Sequence, residues 1–198
     1  LQISSTESDI FDVLVFARRD IKKAAIPSFI TKIAPYAFDN CNLQEITFQN
    51  DSQLEVIDEF AFHETSIKKL RIPSHLKRIN KEAFSECKKL NVIEILDDSE
   101  LEMIGEKAFS ETLISKIKIP SKFTEFNALW CGNLKWLNDI EVMPNNKNFI
   151  NYEDKFILGK SSPEKNDFDV LVLAVRDIKI AKIPSFIEII GANAFELC

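Results

Sequence analysis

A chain of 198 residues, 45% hydrophobic and 28% charged, has enough apolar material for one globular domain or a short repeat array, and this balance excludes intrinsic disorder. A formal net charge of −6 favours solubility and argues against nucleic acid as a partner, which would want a basic face. Its longest apolar runs, 13–17 and 170–175, fall far short of the ~20 residues that cross a bilayer as a helix.

The chain opens at Leu1 without the basic-then-apolar start of a signal peptide, and both ends read as cuts through a longer repeat protein. Residues 1–41 and 158–198 are near-copies, with 24 of 41 positions identical, including Phe11 to Val15 and Ile26 to Ile30. Residues 1–20 read as the second half of a hairpin insert, with Asp12 to Arg18 as a strand whose partner is missing. Residues 21–142 form a repeat region. The short period fails over 143–177, where a turn cluster at Pro144 to Asn148 leads into a second hairpin insert. Its strands are expected at Lys155 to Leu158 and Phe168 to Val175, joined by the polar loop Gly159 to Asp167. The next repeats begin over 178–198, and the whole chain reads as a single domain.

Within the repeats, Ala-Phe pairs recur at Ala37-Phe38, Ala61-Phe62, Ala83-Phe84, Ala108-Phe109 and Ala194-Phe195, with Leu129-Trp130 assigned the equivalent place. Inside 21–142 the spacing of roughly 21 to 25 residues lies in the leucine-rich-repeat range. Each repeat also carries an apolar triplet: Leu43, Ile46, Phe48; Ile67, Leu70, Ile72; Leu90, Ile93, Ile95; Ile114, Ile117, Ile119; Leu137, Ile140, Val142. Residues two apart share one side of a strand, so each triplet predicts a short strand with a buried side. Successive strands are expected to stack as one parallel sheet. The fold class is therefore a β-rich solenoid, a right-handed leucine-rich-repeat array with a short parallel sheet on its concave face and a β-hairpin insert. The Phe side chains are expected to run up its interior as a column. Two kinds of repeat alternate, one opening on Ile-Pro-Ser and the other on Asn50-Asp51-Ser52 or Asp97-Asp98-Ser99. Proline, without an N–H, and short polar side chains offer two chemistries for the same corner.

No catalytic or cofactor constellation is legible. The chain has two histidines, His63 and His75, four glycines, and no nucleophile elbow, phosphate loop, dinucleotide fingerprint or zinc-protease motif. Cys41 and Cys87 fall two rungs apart, about 10 Å, beyond the ~7 Å reach of a disulfide. No cysteine spacing suits a metal, so Cys41, Cys87, Cys131 and Cys198 are expected as free thiols. Asp51 and Asp98 are likewise too far apart to share calcium, and turn formation accounts for them better. Asn50-Asp51-Ser52 is a formal glycosylation sequon.

The candidate site is the outward side of the triplet strands. One column reads Thr47, Arg71, Glu94, Lys118, Glu141, and its neighbour reads Glu45, Lys69, Val92, Lys116, Asp139. Their signs mostly alternate. That pattern suits a face that neutralises itself across strands, and it also suits a polar groove for a protein partner, the usual use of a concave solenoid surface.

The pattern LxxIxIPxxLxxIxxxAFxxC, over roughly 20–142 and 178–198, resembles the BspA-like leucine-rich repeats of mucosal bacteria and anaerobic protists. The resemblance implies a surface or secreted protein of adhesin or antigen type, binding a host, neighbouring-cell or matrix protein, with no catalytic residue and no cofactor. Departures are Leu129-Trp130-Cys131 in place of Ala-Phe-x-x-Cys, and Thr65 and Thr112 where other repeats have cysteine. The competing reading is an intracellular scaffold that uses the same repeats to hold a partner.

Overall fold

The computed structural model describes residues 2–4, 12–126 and 129–198; Leu1 and positions 5–11 of the first copy lie outside them. The described residues form a β-solenoid of about eight turns, with parallel sheets and no helix. Four successive turns close on the same buried file. Phe38, Phe62, Phe84 and Phe109 are fully buried, and their rings stack face to face with centroids 4.8, 5.0 and 5.4 Å apart. That spacing matches the ~4.7–4.9 Å between neighbouring strands, so the backbone repeat sets the ring repeat. The alanine before each Phe is buried and gives the turn's carbonyl to the previous rung, as in Phe62 N–H to Ala83 O at 2.8 Å.

Two sides carry the ladders. One side is a continuous seven-stranded sheet: Gln2–Ser4, Val13–Phe16, Lys32–Ile33, Val56–Ile57, Arg78–Ile79, Met103–Ile104 and Glu125–Phe126. Only its first pair is antiparallel. Gln2–Ser4 is therefore the partner strand expected to be missing from the first hairpin. Two-residue strands show no periodicity of their own, which is why sequence reading passes over them.

The triplet side differs from the single sheet expected of it. Its strands pair two by two in parallel: Lys23–Ile26 with Glu45–Phe48, Lys69–Arg71 with Val92–Glu94, and Lys116–Ile119 with Asp139–Val142. Each pair joins a rung that ends in proline to the following polar-cornered rung. The polar corners bond back to the proline corners, Gln53 N–H to Ser28 O at 2.8 Å and Glu100 N–H to Ser74 O at 2.7 Å. Proline has no N–H to return to the rung before it, so the ladder opens ahead of each proline rung. The structural unit on this side is thus a doublet. In the polar corners the turn is held by buried serines: Ser52 and Ser99 accept from the N–H of Leu54 and Leu101 at 3.4 and 3.3 Å. Asn146 does the same for Asn148 and Phe149, both at 2.8 Å.

The positive-φ turn residues recur four apart in every rung, as Tyr36 and Asn40, Phe60 and Glu64, Glu82 and Glu86, Lys107 and Glu111, Leu129 and Asn133. This pattern corrects one assignment. Leu129 occupies the place of Tyr36, so Trp130-Cys131, not Leu129-Trp130, stands in the Ala-Phe place. The Leu134 N–H bond to Cys131 O, at 3.0 Å, repeats that of Cys41 to Phe38 O and confirms the shift.

Residues 149–174 form an antiparallel meander of Phe149–Tyr152, Phe156–Gly159 and Val170–Ala174, one strand more than the hairpin expected. The side chain of Asp169, 3% exposed, holds the loop between the second and third strands. Its carboxylate accepts from Ser161 N–H and Oγ at 2.8 and 2.6 Å and pairs with Lys165. Asp12 is the first-copy equivalent, taking the Thr31 hydroxyl at 2.9 Å. Lys165 and Ser161 hold the Asp169 carboxyl below the usual carboxylate range. A depressed native pKa contributes stability that is complete above the unfolded value of about 3.9 and is lost as pH falls through the native one. The urea midpoint should therefore drop as pH is lowered from about 5 to about 3, and Asp169→Asn should flatten that dependence.

Candidate functional site

All ten expected face residues lie on the outward side of the triplet strands; Glu94, Lys118 and Glu141 are half-buried and the other seven exposed. Register places them rung over rung: Glu45 faces Lys23, Val92 faces Lys69, Glu94 faces Arg71, Asp139 faces Lys116 and Glu141 faces Lys118. Ion pairs follow. Lys23 meets Glu45 at 2.6 Å, Lys116 meets Asp139 at 3.1 Å, and Lys118 takes Asp97 at 2.7 Å. Hydrogen bonds donated to those carboxylates raise the three ammonium groups above the usual lysine range. Such exposed pairs contribute little stability, about 0–1 kcal/mol each. Their effect is to cancel charge.

One cation escapes. Glu94, directly opposite Arg71, is taken diagonally by Lys69 at 2.5 Å. Among the described residues the Arg71 guanidinium has neither an ion pair nor a hydrogen-bond acceptor. Arg71 also stands between two clefts that form where the ladder opens ahead of a proline rung. The first, about 200 Å³, is lined by Thr47, Phe48, Arg71, Ile72 and Ser74; the second, about 820 Å³, by Arg71, Val92, Ile93, Asp97 and Lys118. Leu96 borders both. Column reading found Arg71 but not its isolation, because the diagonal choice of Lys69 is a matter of side-chain geometry.

A second exposed feature was not foreseen. Trp136 is 60% and Leu113 45% exposed, each just before the first residue of its triplet, where other rungs have Asn42, Ser66 and Lys89. An apolar residue at a polar repeat position was the signal available.

The cysteines are free, with Cys41, Cys87 and Cys131 buried and Cys198 exposed. Cys87 alternates with threonine up its column, its Sγ lying 3.1 Å from the Thr65 hydroxyl and donating to Phe62 O at 3.1 Å. Burial pushes the Cys87 thiol up to about 11; it does the same for Cys131, against the opposing charge of Arg176. In the folded chain a thiol reagent should therefore leave Cys41, Cys87 and Cys131 unlabelled and reach them only after unfolding. His63 pairs with Asp39 at 2.8 Å and His75 lies 3.5 Å from Glu100, so each is engaged by a surface carboxylate of a neighbouring rung. Among the described residues no group of acidic, histidine or cysteine side chains is arranged to hold a metal, and no helix is long and apolar enough to cross a membrane.

Residues 11–134 match the model of the BspA type leucine rich repeat region, in six copies. The chain belongs to this family. Solved relatives share the fold. The pneumococcal vaccine antigen PcpA superposes with a TM-score of 0.79 at 24% identity, over 88% of this chain and 42% of PcpA. A leucine rich cell surface protein of Faecalibacterium prausnitzii gives 0.63 at 20% identity, over 88% and 58%. A leucine-rich repeat protein of Eubacterium ventriosum gives 0.55 at 19%, over 89% and 39%. This chain thus spans about two fifths to three fifths of the length of these solved proteins. No curated protein sequence shows significant similarity to it. None of these matches indicates an enzyme family.

Proposed function

We propose that this BspA-type segment is a non-enzymatic protein-binding module, displayed at a cell surface or secreted, whose triplet face meets the partner. The observation that carries the reading is the face itself: ten outward side chains, two per rung, held on a backbone fixed by the buried Phe file. A rigid array of this kind offers a partner many preformed contacts with little ordering cost. The surface placement draws on the printed descriptions of two fold relatives, a vaccine antigen and a cell surface protein. The partner class is a host, neighbouring-cell or matrix protein. Trp136 and Leu113, exposed at equivalent places on adjacent rungs just before their triplets, add apolar surface of the kind from which binding hot spots are built.

The test uses the protein on the cells that make it. Surface biotinylation of intact cells should label it. Crosslinking should capture a protein that a variant carrying Lys69→Glu, Lys116→Glu and Trp136→Ala no longer captures, while its urea midpoint stays close to that of the unmodified chain. Undiminished capture by that variant would remove the face from the reading. An intracellular scaffold is the second reading, supported by four thiols left free; labelling only after lysis would favour it.

A further inference from the structure

We infer that Arg71 and the two clefts beside it form a receptor for a single carboxylate, carried by an extended acidic segment of the partner with apolar residues on either side. The inference rests on the protein-binding reading of this face and specifies the chemistry it selects.

The charge argument comes first. In the two columns Lys23, Lys69, Lys116 and Lys118 each have a carboxylate within 3.1 Å, and Arg71 has none. Among the described residues of these columns, Arg71 is therefore the one cation left without an ion-pair partner. A guanidinium is a planar fork of donors matched to a carboxylate, and it is less strongly hydrated than an ammonium, so it loses less on binding. The surroundings favour a monoanion over a dianion such as phosphate: Glu94, Asp97 and Asp98 all border the second cleft. Thr47 and Ser74 lie in the first cleft as neutral hydrogen-bonding groups, while Phe48, Ile72 and Leu96 give it apolar walls.

Backbone chemistry fixes the shape. The clefts recur at equivalent junctions because each proline rung leaves the preceding corner unbonded, which places them two rungs apart, about 10 Å. Side chains two residues to either side of a central one on an extended strand lie about 13 Å apart on the same side. An acidic residue over Arg71 can therefore set one apolar neighbour toward each cleft.

The probe is a capped pentapeptide, Leu-Gly-Glu-Gly-Leu, against the same peptide with Gln for Glu, each titrated by NMR into the unmodified chain and its variants. The expected result is at least about tenfold tighter binding of the Glu peptide, the smaller end of what a charge-assisted hydrogen bond contributes. Arg71→Ala should abolish the preference and Arg71→Lys restore part of it, with urea midpoints unchanged because the side chain is exposed. The inference is overturned if the two peptides bind alike, if neither saturates in the millimolar range, or if Arg71→Ala keeps the preference. Capture of the cellular partner by the chain, lost in the face variant, would then still stand, so the two readings fail separately.

Discussion

Phe84→Ala is expected to lower the unfolding free energy by about 3–5 kcal/mol, the usual cost of removing a phenyl ring from a site that cannot collapse. Phe84 is fully buried and stacked on both sides, against Phe62 at 5.0 Å and Phe109 at 5.4 Å. The rungs above and below are held apart by backbone bonds, Phe62 N–H to Ala83 O and Phe84 N–H to Ala108 O, both at 2.8 Å. They cannot close over the gap without breaking those bonds, which puts the cost toward the upper end. Phe84→Leu keeps most of the volume and should cost distinctly less. Urea unfolding of the two variants measures the difference, and equal losses would mean that the site needs the flat ring itself and that filling its volume recovers nothing.

The second large effect is expected at Gly105. Its equivalents are Ala34, Asp58 and Asn80, so the position tolerates a side chain on other rungs. Here a Cβ would lie 2.6 Å from both Asn80 C and Lys81 N, a clash with backbone that no rotamer can relieve. Gly105 N–H donates to Ile79 O at 2.7 Å, drawing these rungs unusually close. Gly105→Ala gains about 0.4–1 kcal/mol by restricting the unfolded chain, and loses about 1–3 kcal/mol to overpacking. The second term wins, and the midpoint should fall. A midpoint that rose would show the rungs free to part at no cost.

Both predictions depend on one feature of solenoids: a residue's environment comes from the rung beside it, a full period away in sequence. That is also where sequence reading stopped. The Ala-Phe pairs, the apolar triplets and the two corner chemistries were visible, because periodicity in hydrophobicity is written in the chain. The register of Trp130-Cys131 was not, because Leu129 looks apolar whichever way the repeat is slid; its positive φ of 60° decided the matter. Nor was the opening of the ladder into doublets. The prolines were seen as corners, but which neighbouring rung would miss their N–H is a question about stacking. On the candidate face the columns were legible and the isolation of Arg71 was not.

The short strand at 32–33 makes the division plain: Ile33 is fully buried because Val13–Phe16 and Val56–Ile57 pair on either side of it. The amino-acid sequence by itself determined the coil: which side chains turn inward, where corners fall, and which residues look out from each rung. Tertiary structure alone decided which inward residues reach the dry interior, where the ladder parts, and which surface charge stays unmatched. Burial and ion pairing are properties of two neighbouring rungs, and no single rung carries them in its own residues.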